Sequence, residues 1–261
     1  MPGELQQHDL KPAVARAIVV ASGLQAGDVA VEVGPGKGEL TAAALAIGAT
    51  VLAVETDPTR VAALRSRFVT ENAAGRLGLT TGDIRTVPLA PPAPWRVLAN
   101  PPFHLTSWLF HHWLLDELPS GPPSRIDLVL QLEAGQKLCG RPAAETRSSI
   151  LARLFGRPKV TLRLNRDDVT PSSRVDLCLW SIERDRDAPI TAELARIDRL
   201  LERAFAGPHT MREALQGIAT GEQIRRQAKE RGWNPEDHPR VLTPGAWWSL
   251  ADILAKTGKL R

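Results

Sequence analysis

Apolar residues recur along this chain in two rhythms. Through roughly the first 135 residues, short compact apolar runs alternate with segments of helical spacing. Asp28–Val33 (DVAVEV), Thr50–Glu55 (TVLAVE), Leu77–Thr80, Val97–Ala99 and Ile126–Leu132 (IDLVLQL) read as strands. Between them, Leu40–Ile47 reads as a short buried helix, and Leu105–Leu115 as a helix rich in Trp and Leu. Pro58 opens another helix, with Val61, Leu64 and Phe68 on one face. A proline is tolerated there because the first-turn N–H has no helical partner to lose. Short apolar strands separated by helices predict an α/β fold, a parallel sheet covered on both faces. In such sheets ligands bind beyond the carboxyl ends of the strands.

The rhythm then changes. Val160–Leu164 and Val175–Trp180 alternate as an antiparallel pair would. Beyond about Asp187 the strand signal stops. Ala192–Phe205, Met211–Ile218 and Gln223–Arg231 carry helical spacing, and Thr243 caps a last helix with Pro244 in its first turn. The chain is therefore expected to divide into a catalytic α/β domain over 1–186 and a small all-helical domain over 187–261.

Composition narrows the classes. At 43% hydrophobic and 24% charged residues, the chain is an ordinary globular protein. Its two cysteines, Cys139 and Cys178, form no Cys-x-x-Cys pair, and no His-Glu-x-x-His occurs, so neither a disulfide framework nor a metal site is expected. The polar start, Met1–Lys11, is unlike a signal peptide, and no run is apolar enough to span a membrane, so a cytoplasmic location is the expectation. The net charge is only +4, but it is unevenly placed. Residues 141–174 hold Arg141, Arg147, Arg153, Arg157, Lys159, Arg163, Arg166 and Arg174 against Glu145, Asp167 and Asp168, more positive charge than the whole chain carries. Such a stretch is either a solvated face or a phosphate-binding surface.

The chemistry lies where the strands end. Val31–Gly38 (VEVGPGKG) runs from a strand into a turn containing Gly34, Gly36 and Gly38. Glycines let the backbone adopt positive φ and approach a ligand closely. Glu55, 21 residues beyond Gly34, ends the second strand, where a carboxylate can accept both hydroxyls of a ribose. Together they indicate an adenosine-containing cofactor. The Gly-x-Gly-x-Gly spacing differs from the nicotinamide fingerprint Gly-x-Gly-x-x-Gly and suits S-adenosylmethionine (SAM). Asp83 after the third strand is placed either to accept from the adenine amine or simply to make a turn.

Asn100-Pro101-Pro102-Phe103 follows the fourth strand and is the most specific signal. Consecutive prolines stiffen the turn. The Asn100 side-chain oxygen and the Pro101 carbonyl are two acceptors that can take both hydrogens of an exocyclic amine. Drawing those hydrogens out of conjugation frees the nitrogen lone pair to attack a methyl group, and Phe103 is placed to stack on a base turned out of its helix. No strong base is needed before transfer.

These motifs, in this order, resemble the ribosomal RNA adenine N6-methyltransferases, which comprise the macrolide-resistance (Erm-type) enzymes and the small-subunit dimethyladenosine transferases. Gln7-His8-Asp9-Leu10 resembles the N-terminal element that touches the methionine part of SAM. Val31–Thr41 resembles the glycine motif, Val54–Asp57 with Glu55 and Thr56 the ribose-binding acid, and Gly82–Arg85 with Asp83 and Ile84 the adenine-binding element. Asn100–Phe103 occupies the catalytic position, Leu130–Glu133 with Lys137 the next strand and helix, and Val169–Asp176 the last catalytic-domain motif. Pro101 stands where Leu or Ile is usual, Asp9 where an aromatic is usual, and Val169 and Ser173 replace a Phe and a Pro. The resemblance implies a Rossmann-like SAM-dependent methyltransferase sheet with a helical C-terminal domain. It implies SAM bound by Gln7, His8, Leu10, Gly34, Gly36, Gly38, Glu55, Thr56, Asp83, Ile84 and Asn100, and catalysis by Asn100, Pro101 and Phe103.

Gln131-Leu132-Glu133, Lys137–Gly140 and Ile182-Glu183-Arg184 lean toward the Erm type. The leading expectation is therefore N6 methylation of an adenosine in 23S ribosomal RNA, conferring resistance to macrolide, lincosamide and streptogramin B antibiotics. The alternatives are a small-subunit (16S) adenine dimethyltransferase, a DNA or other amino-methyltransferase, and a non-catalytic RNA-binding assembly factor. The expected partner is ribosomal RNA, held by residues 141–174 and the C-terminal domain, with the protein acting as a monomer.

Overall fold

The computed structural model describes residues 8–207 and 210–258. Gln7 lies outside them. Two compact units emerge. One comprises residues up to Trp113 with Glu117–Gly135 and Lys159–Arg184, and the other Leu114–Asp116, Gln136–Pro158 and Asp185 onward. The sequence pattern places 136–158 with the α/β part. These residues group instead with the C-terminal helices, because the helix Arg147–Phe155 packs on Thr191–Ala204 and Pro244–Lys256.

The strands are β1 (Asp9–Leu10), β2 (Val29–Val33), β3 (Thr50–Glu55), β4 (Leu77–Thr81), β5 (Arg96–Ala99), β6 (Arg125–Gln131), β7 (Lys159–Leu164), β8 (Val169–Thr170) and β9 (Leu177–Glu183). A seven-stranded sheet runs in the order β4-β3-β2-β5-β6-β9-β7. Its first five strands are parallel, and β9 is antiparallel to both neighbours. Apolar runs buried on both faces produce this arrangement. Val31, Val97, Leu128, Val129 and Leu179 are each fully buried, and every such side chain contributes about 1.5–3 kcal/mol.

Asp127 interrupts the apolar run of β6. It is completely buried, and Arg125 binds both of its oxygens at 2.8 and 3.0 Å while Arg96 lies 3.4 Å away. A buried carboxylate is tolerable only when paired in this way.

Some elements differ from the expectation. The helix Pro12–Ser22 is absent from the sequence pattern as read above, although Ala15, Ile18, Val19 and Ser22 form its buried stripe. The helix beginning at Met211 ends at Ala214, and the turns that follow include Gly217 at φ +81°. The strand expected from Val175 begins only at Leu177, because the chain up to Asp176 is occupied elsewhere: Ser173 N–H bonds the Arg166 carbonyl, and Asp176 pairs with Arg166.

A separate antiparallel pair, β1 with β8, has no counterpart in the sequence pattern. It ties residues 9–10 to 169–170, two motifs 160 residues apart in sequence, with Asp9 opposite Thr170 and Leu10 opposite Val169.

Candidate active site

Because β2 to β5 are parallel and in register, their carboxyl ends lie along one edge of the first unit. Gly34, Glu55, Asp83 and Asn100 each follow or end one of these strands. The sheet therefore collects residues that the sequence spreads over nearly seventy positions.

A cavity of about 180 Å³ opens at this edge, and Gly34, Glu55, Thr56, Asp83 and Ile84 line it. Arg85, Pro102, His104 and Leu105 also line it, and the sequence motifs do not single them out as binding residues. A smaller cleft of about 20 Å³ is lined by His8, Leu10, Gly34 and Asn100, with Asp9, Glu32 and Lys37 added.

The glycine turn explains the shape. Gly34 and Gly36 sit at φ +67° and +57°, conformations that side chains disfavour. The turn brings the Gly36 N–H to Glu55 Oε2 at 3.3 Å. Glu55 Oε1 accepts from the Asp57 N–H at 3.1 Å and the Thr56 hydroxyl at 3.3 Å. A carboxylate offers about four lone-pair sites, so Oε2 keeps acceptor capacity toward the cavity. A buried carboxylate with an open acceptor beside backbone glycines fits a ribose diol. Gly38 lines neither opening. It is at φ +83°, and an added Cβ would lie 2.5 Å from Leu64 Cδ2, so its place is in the packing behind the turn.

Asp83 is not an open acceptor. Arg85 Nε contacts both of its oxygens, at 3.0 and 2.9 Å, and the Arg85 backbone N–H adds a bond of 2.9 Å. The Arg85 hydrogen bonds hold the Asp83 carboxyl below the usual carboxylate range. An adenine amine reaching Asp83 would have to displace part of the guanidinium.

Glu32 lies beneath the glycine turn. Burial pushes its carboxyl up to about 7; the hydrogen bond from Thr41 at 2.6 Å opposes the rise, and the charge of Glu55 adds to it. The sequence pattern places Glu32 inside the strand and gives it no role. An acid in an otherwise apolar strand was the available signal.

At the Asn-Pro-Pro-Phe turn, Asn100 Nδ2 donates to the His8 carbonyl at 2.7 Å. Pro101 is buried and lines neither opening. Phe103 begins a short 3-10 turn, is half-buried, and lies with its ring 5.9 Å from that of His8.

The basic stretch 141–174 is divided between the units, at 158 and 159. Arg147 is paired with Asp198, Arg153 with the buried Glu145, and Arg166 with Asp176. Arg141, Arg157, Lys159, Arg163 and Arg174 are exposed.

Comparison with known proteins follows the same outline. The sequence profile of a family described as ribosomal RNA adenine dimethylase matches residues 6–256. A ribosomal RNA small subunit methyltransferase A from Rubrobacter xylanophilus is 34% identical over 249 residues, covering 89% of this chain and 90% of that protein. Its namesake from Synechococcus sp. (strain CC9605) is 32% identical over 256 residues, covering 93% and 91%. Among solved structures, a dimethyladenosine transferase from Plasmodium falciparum superposes with a TM-score of 0.78 at 18% identity, over 97% of this chain and 99% of that one. The 23S rRNA methyltransferase ErmE superposes with a TM-score of 0.75 at 20% identity, over 95% and 99%. These two likenesses establish the Rossmann-like methyltransferase fold. The profile match spans every motif from the N-terminal strand to the last helix, so the chain belongs to the ribosomal RNA adenine dimethylase family and is an enzyme that methylates adenine in ribosomal RNA with SAM as methyl donor.

Proposed function

We propose that this enzyme methylates N6 of an adenosine in small-subunit ribosomal RNA. The observation that carries this choice is near-full-length similarity to proteins named small subunit methyltransferase A, at 32–34% identity. The Erm-type preference rests on short segments. One of them, Ile182-Glu183-Arg184, closes β9, where Glu183 lies opposite Arg125 in the sheet. That place in the sheet carries no information about the RNA substrate, so antibiotic resistance has no separate support.

The residues divide the work as follows. SAM, when bound, supplies an electrophilic methyl group. Glu55 accepts the ribose hydroxyls, with Thr56 beside it. Asp83 accepts from the adenine amine in exchange for part of its Arg85 contact, and Ile84 packs along the base. Gly34 and Gly36 give the close backbone approach, while His8 and Leu10 bound the smaller cleft. Asn100 Oδ1 and the Pro101 carbonyl take the two N–H groups of the target amine, and Phe103 stacks on the base. The amine nitrogen would form the new N–C bond as the methyl–sulfur bond of SAM breaks and the neutral thioether leaves, and would shed one proton to water afterwards. RNA is held through exposed cations of 141–174 and of the C-terminal helices, among them Arg225, Arg226 and Lys229. The protein acts as a monomer in the cytoplasm.

Methyl incorporation from labelled SAM into small subunits, naked 16S RNA, 23S RNA and DNA tests the substrate, with primer extension locating the base. Label confined to 23S RNA would return the Erm reading. The Asn100→Ala variant should lose transfer by at least about a hundredfold, the scale of removing one transition-state hydrogen-bonding group, and far more than it loses SAM affinity.

A further inference from the structure

His8 is the point at which three catalytic-edge segments meet. Its backbone carbonyl accepts from Asn100 Nδ2 at 2.7 Å. Its ring Nδ1 lies 2.7 Å from the Pro171 carbonyl. The same ring lies 5.9 Å from Phe103, tilted by 35°. The residue is further fixed by β1–β8 pairing immediately after it and by the Lys11 N–H bond to the Asp168 carbonyl at 3.0 Å.

The chemistry of these partners matters. A side-chain amide has one accepting end and one donating end, and an exocyclic amine must meet the accepting end. A carbonyl can only accept, so the His8 carbonyl holds the Asn100 NH₂ group and leaves Oδ1 as the opposite end. The Pro171 carbonyl likewise only accepts, so the Nδ1 of His8 carries the proton. This ring bond and the Phe103 contact fix the peptide whose carbonyl orients Asn100.

We propose that His8 is a positioning residue for methyl transfer, a clasp between the Pro171 carbonyl and Phe103 that sets the polarity of the Asn100 amide. The proposal rests on the catalytic role of Asn100 given above. It goes beyond the place of His8 on the wall of the smaller cleft, because the clasp acts on the rate even when SAM is saturating.

The test combines kinetics with spectroscopy. In His8→Ala, kcat at saturating SAM should fall about tenfold, a larger change than any in the SAM dissociation constant measured by calorimetry. His8→Asn, which restores an N–H donor toward Pro171, should recover part of the rate, and His8→Phe, which keeps only the ring, should not. Nitrogen NMR of the histidine-labelled protein should show His8 as the Nδ1–H tautomer, the minor form in free histidine. An unchanged kcat in His8→Ala, a loss confined to SAM affinity, equal activities of the Asn and Phe variants, or an Nε2–H tautomer would each overturn the clasp. Should the Ala variant fail to fold, the Asn and Phe pair and the wild-type spectrum still decide the question. Full activity in Asn100→Ala would remove the underlying reading. Loss of transfer there with wild-type rate in the His8 variants would remove only the clasp.

Discussion

Glu32 and Glu55 show how differently one side-chain type behaves at two neighbouring positions. Glu55 has backbone amides from Gly36 and Asp57 to meet its charge, whereas Glu32 has one hydroxyl and a buried setting that raises its carboxyl to about 7. The ordinary value is 4.5, so the folded protein binds this proton more tightly than the unfolded chain does. Stability from Glu32 is therefore full below about pH 4.5 and is lost as the pH rises toward 7. The loss is on the order of 3 kcal/mol, from the cost per unit of pKa shift. Denaturant unfolding of Glu32→Gln, which keeps an acceptor for Thr41, should be flatter than wild type across that window and more stable at pH 8. At Glu55 the expected effect is on binding. Glu55→Ala should weaken SAM by at least about tenfold in calorimetry, the scale of losing a charge-assisted hydrogen bond, and an unchanged affinity would remove Glu55 from the site. Glu55 and Asn100 were legible as candidates because one ends and the other directly follows a recognisable strand. The Arg85 grip on Asp83 was not, since a motif of residue types carries no side-chain direction.

The glycine turn and the helix caps carry the local instructions of the larger elements. Gly38 is needed for two reasons, its positive φ and the closeness of Leu64 and Phe68. Gly38→Ala should destabilise the first unit by about 1–3 kcal/mol, from backbone strain alone, as read in denaturant midpoints. Thr243 Oγ1 accepts from the Ala246 N–H at 3.3 Å and opens the last helix, as its place before Pro244 predicted. Thr243→Ala should cost about 1 kcal/mol, a smaller shift in the same measurement. The long strands and these caps were readable because each rests on a contiguous pattern. β1 and β8 were not readable. Each is two residues long and exists only because the other lies beside it.

At the scale of the whole molecule, the basic stretch is the instructive case. The sequence presents eight cations in thirty-four residues, but the fold commits Arg147, Arg153 and Arg166 to carboxylates. Replacing Arg153 by Ala should lower the unfolding midpoint, because it leaves the buried Glu145 with the Ser149 hydroxyl but without its charged partner. Replacing Arg163 and Arg174 together should instead weaken ribosomal RNA binding and reduce its salt dependence, by about one unit of slope for each phosphate no longer neutralised. An unchanged slope would place the RNA elsewhere. The sequence by itself determined the α/β architecture and the SAM-dependent adenine-methylating chemistry, and it offered Asn-Pro-Pro-Phe as the candidate turn for that chemistry. Strand patterning, glycine spacing and Asn-Pro-Pro-Phe are local constraints, and they act wherever the chain goes. Tertiary structure alone decided which cations stay exposed, that 136–158 pack with the C-terminal helices, and that His8 meets Asn100, Phe103 and Pro171. Those outcomes depend on contacts between residues remote in sequence, and no local pattern encodes which remote partner a side chain will find.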